Sequence, residues 1–231
     1  MKSEILYKPS YAMIKIDMAA GDNVDVEAGS MVAMSTGLKM KTSIGGNRSG
    51  FFGKLWAFFS ALFRKIFGGE TMFINRYSPP DGQDGTLYVA PSLNGDIIEY
   101  TLDGSRSLLV QSSSYLASSG DVTVKTKWGG IKSLFSGEGA FWLLISGTGT
   151  LWVNSYGAIQ EIDVSGEYVV DTGHVVAFDS GLTYKITRAG GWKATLLSGE
   201  GIVMRFSGHG KLYIQTRNLG ALVRWLIPYL P

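Results

Sequence analysis

The chain has 231 residues, 45% of them hydrophobic and 17% charged, with a formal net charge of +2. That is enough apolar material for one to three cored domains, and too small a charge excess to mark a nucleic-acid or acidic-partner binder by itself. Cysteine is absent, which excludes disulfides and thiol chemistry, and 31 glycines against 6 prolines favour many short strands over a helical bundle.

The first residues, MKSEILYKPSYAM, lack the apolar run of a secretion signal, and no stretch is long and charge-free enough to span a bilayer. A cytoplasmic location, at most membrane-peripheral, is the expectation. Residues 12–18 (AMIKIDM) and 22–27 (DNVDVE) alternate apolar and polar side chains, the mark of strands with one wet face. Next comes an amphipathic insertion, residues 45–68, set off by Gly45-Gly46 and Gly68-Gly69. Within it Phe51, Phe52, Leu55, Trp56, Phe58, Phe59, Leu62, Phe63, Ile66 and Phe67 recur in steps of three and four, which predicts a helix with a wide apolar stripe. Lys54, Arg64 and Lys65 lie off that stripe, and residues 51–67 hold no carboxylate. Such a helix suits a membrane surface, its rings in the acyl boundary and its cations on anionic headgroups. It equally suits packing on a sister subunit or on its own sheet, because so large an apolar face is rarely left bare.

Beyond the insertion the chain repeats itself. Residues 136–153 (SGEGAFWLLISGTGTLWV) return as 198–214 (SGEGIVMRFSGHGKLYI) and, more loosely, as 68–89. Each reads as a β-hairpin: Gly-Glu, an apolar run, a glycine turn, then Leu-aromatic-β-branched. The closing triplets are Leu87-Tyr88-Val89, Leu151-Trp152-Val153 and Leu212-Tyr213-Ile214, and each is followed by a glycine, Gly95, Gly157 or Gly220. Upstream, EAGSMVAMS (27–35), QSSSYLASS (111–119) and DTGHVVAFD (171–179) share one polar–apolar pattern. These anchors predict three modules, 1–95, 96–157 and 158–231, the first longer by about fifteen residues through its insertion. Further strands are expected over 108–111, 121–125, 168–171, 175–178 and 182–187, with Ser119-Gly120 as a turn. Strands this short need a facing sheet, so a jelly-roll-like sandwich per module is expected. At the end, Asn218 as N-cap and the spacing of Leu219, Leu222, Val223 and Leu226 predict a short helix, curtailed at Pro228.

The sequence holds no catalytic or cofactor signature. His174 aligns with Ser30 and Ser114, and His209 with Thr148, so neither belongs to a metal cluster. No Gly-x-Ser-x-Gly elbow occurs, and Gly147-Thr148-Gly149 and Gly208-His209-Gly210 lack the lysine of a phosphate loop. Glu70, Glu138 and Glu200 read first as solvated charges or as partners of a cross-strand lysine, and their symmetric repetition keeps a ligand role open beside these. A rim of Lys127, Trp128 and Lys132, matched by Arg188, Trp192 and Lys193, offers cations beside aromatics, as single-stranded RNA or a small ligand would require. Lysine-protected edge strands account for the same residues.

The three tandem copies, the 113–117 motif Ser-Ser-Tyr-Leu-Ala and the apolar insertion before Gly69-Glu70 resemble one family. It is that of the altered-inheritance-of-mitochondria protein 24, most of whose prokaryotic members are uncharacterised. The resemblance implies an all-β fold of three tandem short double-stranded β-helix modules, each similar to the subunit of the tryptophan RNA-binding attenuation protein. That subunit forms rings, so a homo-trimer with nine modules in a ring is implied. The mitochondrial relative is linked to inner-membrane organisation, which adds weight to a membrane contact. No tryptophan pocket or RNA-binding lysine set maps onto these residues. The function expected is therefore a non-enzymatic oligomeric scaffold or adaptor without cofactors, with the insertion as its route to a membrane surface where it does not pack on a sister subunit or its own sheet. The alternative is a ring that binds a small ligand or RNA, and a hydrolase stands behind both.

Overall fold

The computed structural model describes residues 1–44, 73–127, 142–188 and 202–229. The expected insertion, residues 51–67, lies outside the described residues. The fold is all-β and sandwich-like, with one short α-helix among the described residues. The strands are β1 (Lys2–Leu6), β2 (Met13–Met18), β3 (Val24–Glu27), β4 (Met31–Met34), β5 (Lys39–Ile44), β6 (Phe73–Ser78), β7 (Gly85–Val89) and β8 (Ile97–Asp103). They continue as β9 (Leu108–Gln111), β10 (Tyr115–Lys127), β11 (Trp142–Asn154), β12 (Ile159–Asp171), β13 (Val175–Asp179), β14 (Thr183–Arg188) and β15 (Ile202–Gln215). A four-stranded sheet runs β1-β2-β7-β4, and an eleven-stranded sheet runs β12-β15-β13-β9-β11-β10-β3-β6-β5, with β14 on β15 and β8 on β11.

Alternation in the sequence becomes alternation of burial. In β2, Ile14, Ile16 and Met18 are buried while Lys15 and Asp17 stay partly wet. Val24 and Val26 of β3 repeat the rule. These side chains join Leu87 and Val89 of β7, Leu116 of β10 and Trp152 of β11 in one core. Trp152 is fully buried, and its indole N–H donates to Glu99 Oε2 at 2.9 Å, which spares a stranded polar group. A second core gathers Leu108, Val110, Tyr115, Leu151, Val153 and Val176. The third is aromatic: Phe178 meets Trp142 and Phe206 edge-on, each at 5.0 Å between ring centroids.

The pairing registers recur. Leu87, Leu151 and Leu212 face Ile16, Tyr100 and Ile162. Tyr88 pairs with Lys15 and Ala33, Trp152 with Glu99 and Ala117, and Tyr213 with Glu161 and Ala177. Each alanine strand carries a register shift two residues earlier, at Met31/Ala33, Tyr115/Ala117 and Val175/Ala177. Trp152 and Tyr213 thus hold like positions in their strand pairings.

Two local expectations are corrected. Residues 142–154 and 202–215 are not hairpins but single strands, β11 and β15, that run straight through their glycines. Gly147 has φ +109°, and a Cβ there would overlap the Asp121 carbonyl of the neighbouring strand. Glycine here lets the neighbouring backbone come close to a long strand and does not reverse it. In the looser copy β6 and β7 are separate strands in different sheets, so that copy is no hairpin either. Ser119-Gly120 is likewise interior to β10 rather than a turn. The C-terminal helix, α1 (Leu219–Leu226), forms as expected: the Asn218 side chain accepts from Ala221 N, and Pro228 falls in the 3-10 turn that follows.

Candidate functional site

Two contacts inside the chain share one register. Where β10 meets β3, Ala117 faces Val26, Ser118 faces Asp25 and Ser119 faces Val24. Where β13 meets β9, Ala177 faces Val110, Phe178 faces Leu109 and Asp179 faces Leu108. The aligned residues at the ends of the chain lack this partner. β4 pairs with β7 on one side only, and residues 168–171 of β12 pair with β15 on one side only, among the described residues.

Exposure marks the consequence. Tyr115, Leu116 and Ala117 are 0% exposed, and so are Val175, Val176, Ala177 and Phe178. The aligned residues of β4 are all exposed: Met31 39%, Val32 56% and Met34 42%, with Ala33 beside them. On the other side, Val24, Leu108 and Val110 are 0% exposed and Leu109 is 4%, whereas Tyr168 is 42% and Val169 47% exposed. The edge at β4 is MVAM, with no charge to discourage pairing. By contrast β5 carries Lys39 and Lys41, and β14 carries Lys185 and Arg188.

Polar groups near the internal contacts are held firmly. Asp25 accepts two bonds from Arg76, at 2.7 and 2.6 Å, and this pair raises the arginine above its ordinary pKa. The Tyr115 hydroxyl lies 2.7 Å from Ser118 Oγ, and burial drives its pKa upward, so it stays a neutral phenol. Asn154 and Gln215, aligned at the ends of β11 and β15, donate to the Ser113 and Gly173 carbonyls at 3.4 and 3.0 Å. Asp179 accepts from Lys211 N at 2.8 Å through one oxygen, while its other oxygen is buried without a partner among the described residues.

The residues singled out in the sequence fare unevenly. Phe51, Phe52, Leu55, Trp56, Phe58, Phe59, Leu62, Phe63, Ile66, Phe67, Lys54, Arg64 and Lys65 lie outside the described residues, as do Trp128, Lys132, Trp192 and Lys193. Lys127 is exposed at the end of β10, opposite Trp142, and Arg188 ends β14 opposite Ile202. His174 and His209 stand apart, on the 3-10 turn after β12 and in β15, and no cluster of three metal-ligating side chains occurs among the described residues. No described helix is long and apolar enough to cross a membrane. The open edges are not legible in the sequence: the alignment of MVAM with YLAS and VVAF marks equivalent strands, and only their packing separates them.

A curated protein of Streptococcus pyogenes, itself described as uncharacterised, is 35% identical over 224 residues, covering 96% of this chain and 88% of its own length. The crystal structure of a protein from the same species superposes with a TM-score of 0.79 at 32% identity, covering 99% of both chains. A model of the family described as Mitochondrial biogenesis AIM24 matches residues 3–217, nearly the whole chain, and the protein belongs to that family.

Proposed function

We propose that the protein is a non-enzymatic scaffold that assembles head to tail from copies of itself. Each copy contributes three like double-stranded β-helix modules, 1–95, 96–157 and 158–231. The observation that supports this is the exposure of β4 and of residues 168–169, at positions whose aligned counterparts are buried. Repeating the internal register once more sets Ala33 of the next copy opposite Val170, Met34 opposite Val169 and Ser35 opposite Tyr168. Such a contact is heterologous, so it closes only as a ring. The resemblance to the attenuation protein supports a ring, and three copies of three modules each make one of nine modules. The sequence of residues 51–67, apolar and cationic without a carboxylate, supports attachment of the assembly to an anionic membrane surface. Light scattering on a sizing column tests the core of the reading. A mass of three chains is expected, and a monomer at tens of micromolar would refute it.

A further inference from the structure

A row of backbone contacts crosses the base of the chain. Ala12 N donates to Gly95 O at 3.0 Å, and Asp96 N donates to Gly157 O at 2.9 Å. Residues 12, 96 and 158 are aligned, each just before a strand, β2, β8 or β12. The third, Ala158 N, instead donates to the Thr216 side chain at 3.0 Å. The carbonyl that would continue the row is that of Tyr11, the residue aligned with Gly95 and Gly157, in another copy. Thr216 also lines a groove of about 490 Å³ with Tyr156, His174, Arg217, Leu222 and Trp225, beneath α1. None of the eight residues of α1 is buried, and Trp225 is among the most exposed large side chains of the fold.

Between β1 and β2 the turn at residues 7–11 projects two tyrosines, Tyr7 at 71% and Tyr11 at 72% exposure. Tyr7 has φ +59°, a left-handed conformation uncommon for a side chain of its size. Lys8 Nζ lies 3.4 Å from Asp96 and fastens the turn to the body.

We propose that the groove beneath α1 is the seat for the 7–11 turn of the next copy, with the ring of Tyr11 entering it. This rests on the head-to-tail reading and adds the element that sets its direction. Tyr156, Leu222 and Trp225 supply apolar surface for the ring. His174 Nδ1 lies 2.7 Å from the Gln215 carbonyl, which can only accept, so that nitrogen carries a hydrogen, and in the neutral imidazole Nε2 is the acceptor. An acceptor beside apolar rings suits a phenol, which is apolar in body and polar at the tip.

The absence of native cysteine permits a direct test. Tyr11→Cys and Arg217→Cys, placed in separate chains and mixed, should be joined by a short bismaleimide, as should Met34→Cys mixed with Val169→Cys, two positions exposed in the free chain. Linkage of both pairs supports the seat and the edge. An edge link without the 11–217 link overturns the seat alone. Failure of both overturns both readings. The 11–217 link without the edge link keeps the seat and overturns the edge register. Independently, the Tyr7→Ala/Tyr11→Ala chain should fold normally, because both rings are solvent-exposed, and should assemble at least tenfold more weakly. Unchanged assembly of that variant would overturn the seat.

Discussion

Ala33→Glu discriminates sharply between folding and assembly. In the isolated chain Ala33 is exposed, so the substitution meets solvent and the fold should tolerate it. In the proposed contact it takes the place of Ala117 and Ala177, both 0% exposed. A carboxylate forced into such a site would need its pKa raised by about 3–5 units to shed its charge. At about 1.4 kcal/mol per unit this costs roughly 4–7 kcal/mol, with about 1–3 more for overpacking. The favourable side is smaller. Met31, Val32, Met34, Tyr168 and Val169 are 39–56% exposed. Burying the exposed half of each recovers about 0.7–1.5 kcal/mol, hence roughly 4–7 kcal/mol gross per contact. The substitution therefore erases the association. Equilibrium sedimentation should show monomers with an unchanged circular dichroism spectrum, and the melting midpoint should fall to a value independent of protein concentration, because assembly no longer adds to stability. Ala117→Glu, inside the chain, should instead prevent folding. An Ala33→Glu protein that assembles like the parent would refute the proposed register.

Three further outcomes are expected. Phe59→Glu with Phe63→Glu should abolish co-sedimentation with anionic vesicles while leaving the assembly mass unchanged; loss of the assembly instead would assign residues 51–67 to a subunit contact, and no change in either would place them on their own chain. Gly147→Ala should destabilise by more than about 2 kcal/mol in urea unfolding, because alanine meets both a positive φ and the Asp121 carbonyl; a change under half that would mean the strand can shift. The Asp17 carboxyl is held below its ordinary 3.8, first by the Thr86 hydroxyl at 2.7 Å and then by Lys15. A depressed folded-state pKa makes this contact fully stabilising above the unfolded value and lost as pH falls through the folded one. Thr86→Val should bring the Asp17 midpoint back up toward 3.8 in a carbon-13 titration, and an unmoved midpoint would leave Lys15 as the controlling group.

Much of the local structure is determined by residue order alone. The alternation of AMIKIDM and DNVDVE sets which side chains enter the core, because successive strand residues point to opposite faces. The triplets ending in Val89, Val153 and Ile214 mark equivalent register positions, and Asn218 caps its helix through a bond to a residue three positions away. These are short-range effects, legible without knowing what lies across the sheet. The glycines of Gly147-Thr148-Gly149 were misleading for the same reason. A glycine pair in an alternating run signals a positive φ, but whether the chain reverses or runs on close past a neighbour depends on the strand alongside, and here the Asp121 and Ser119 carbonyls occupy that space. The open edges are a tertiary fact as well. MVAM, YLAS and VVAF follow one pattern, and only the packing reveals that the first lacks the strand that covers the other two. Burial belongs to a residue and its neighbour together, and the neighbour that β4 lacks is not supplied by the described part of its own chain.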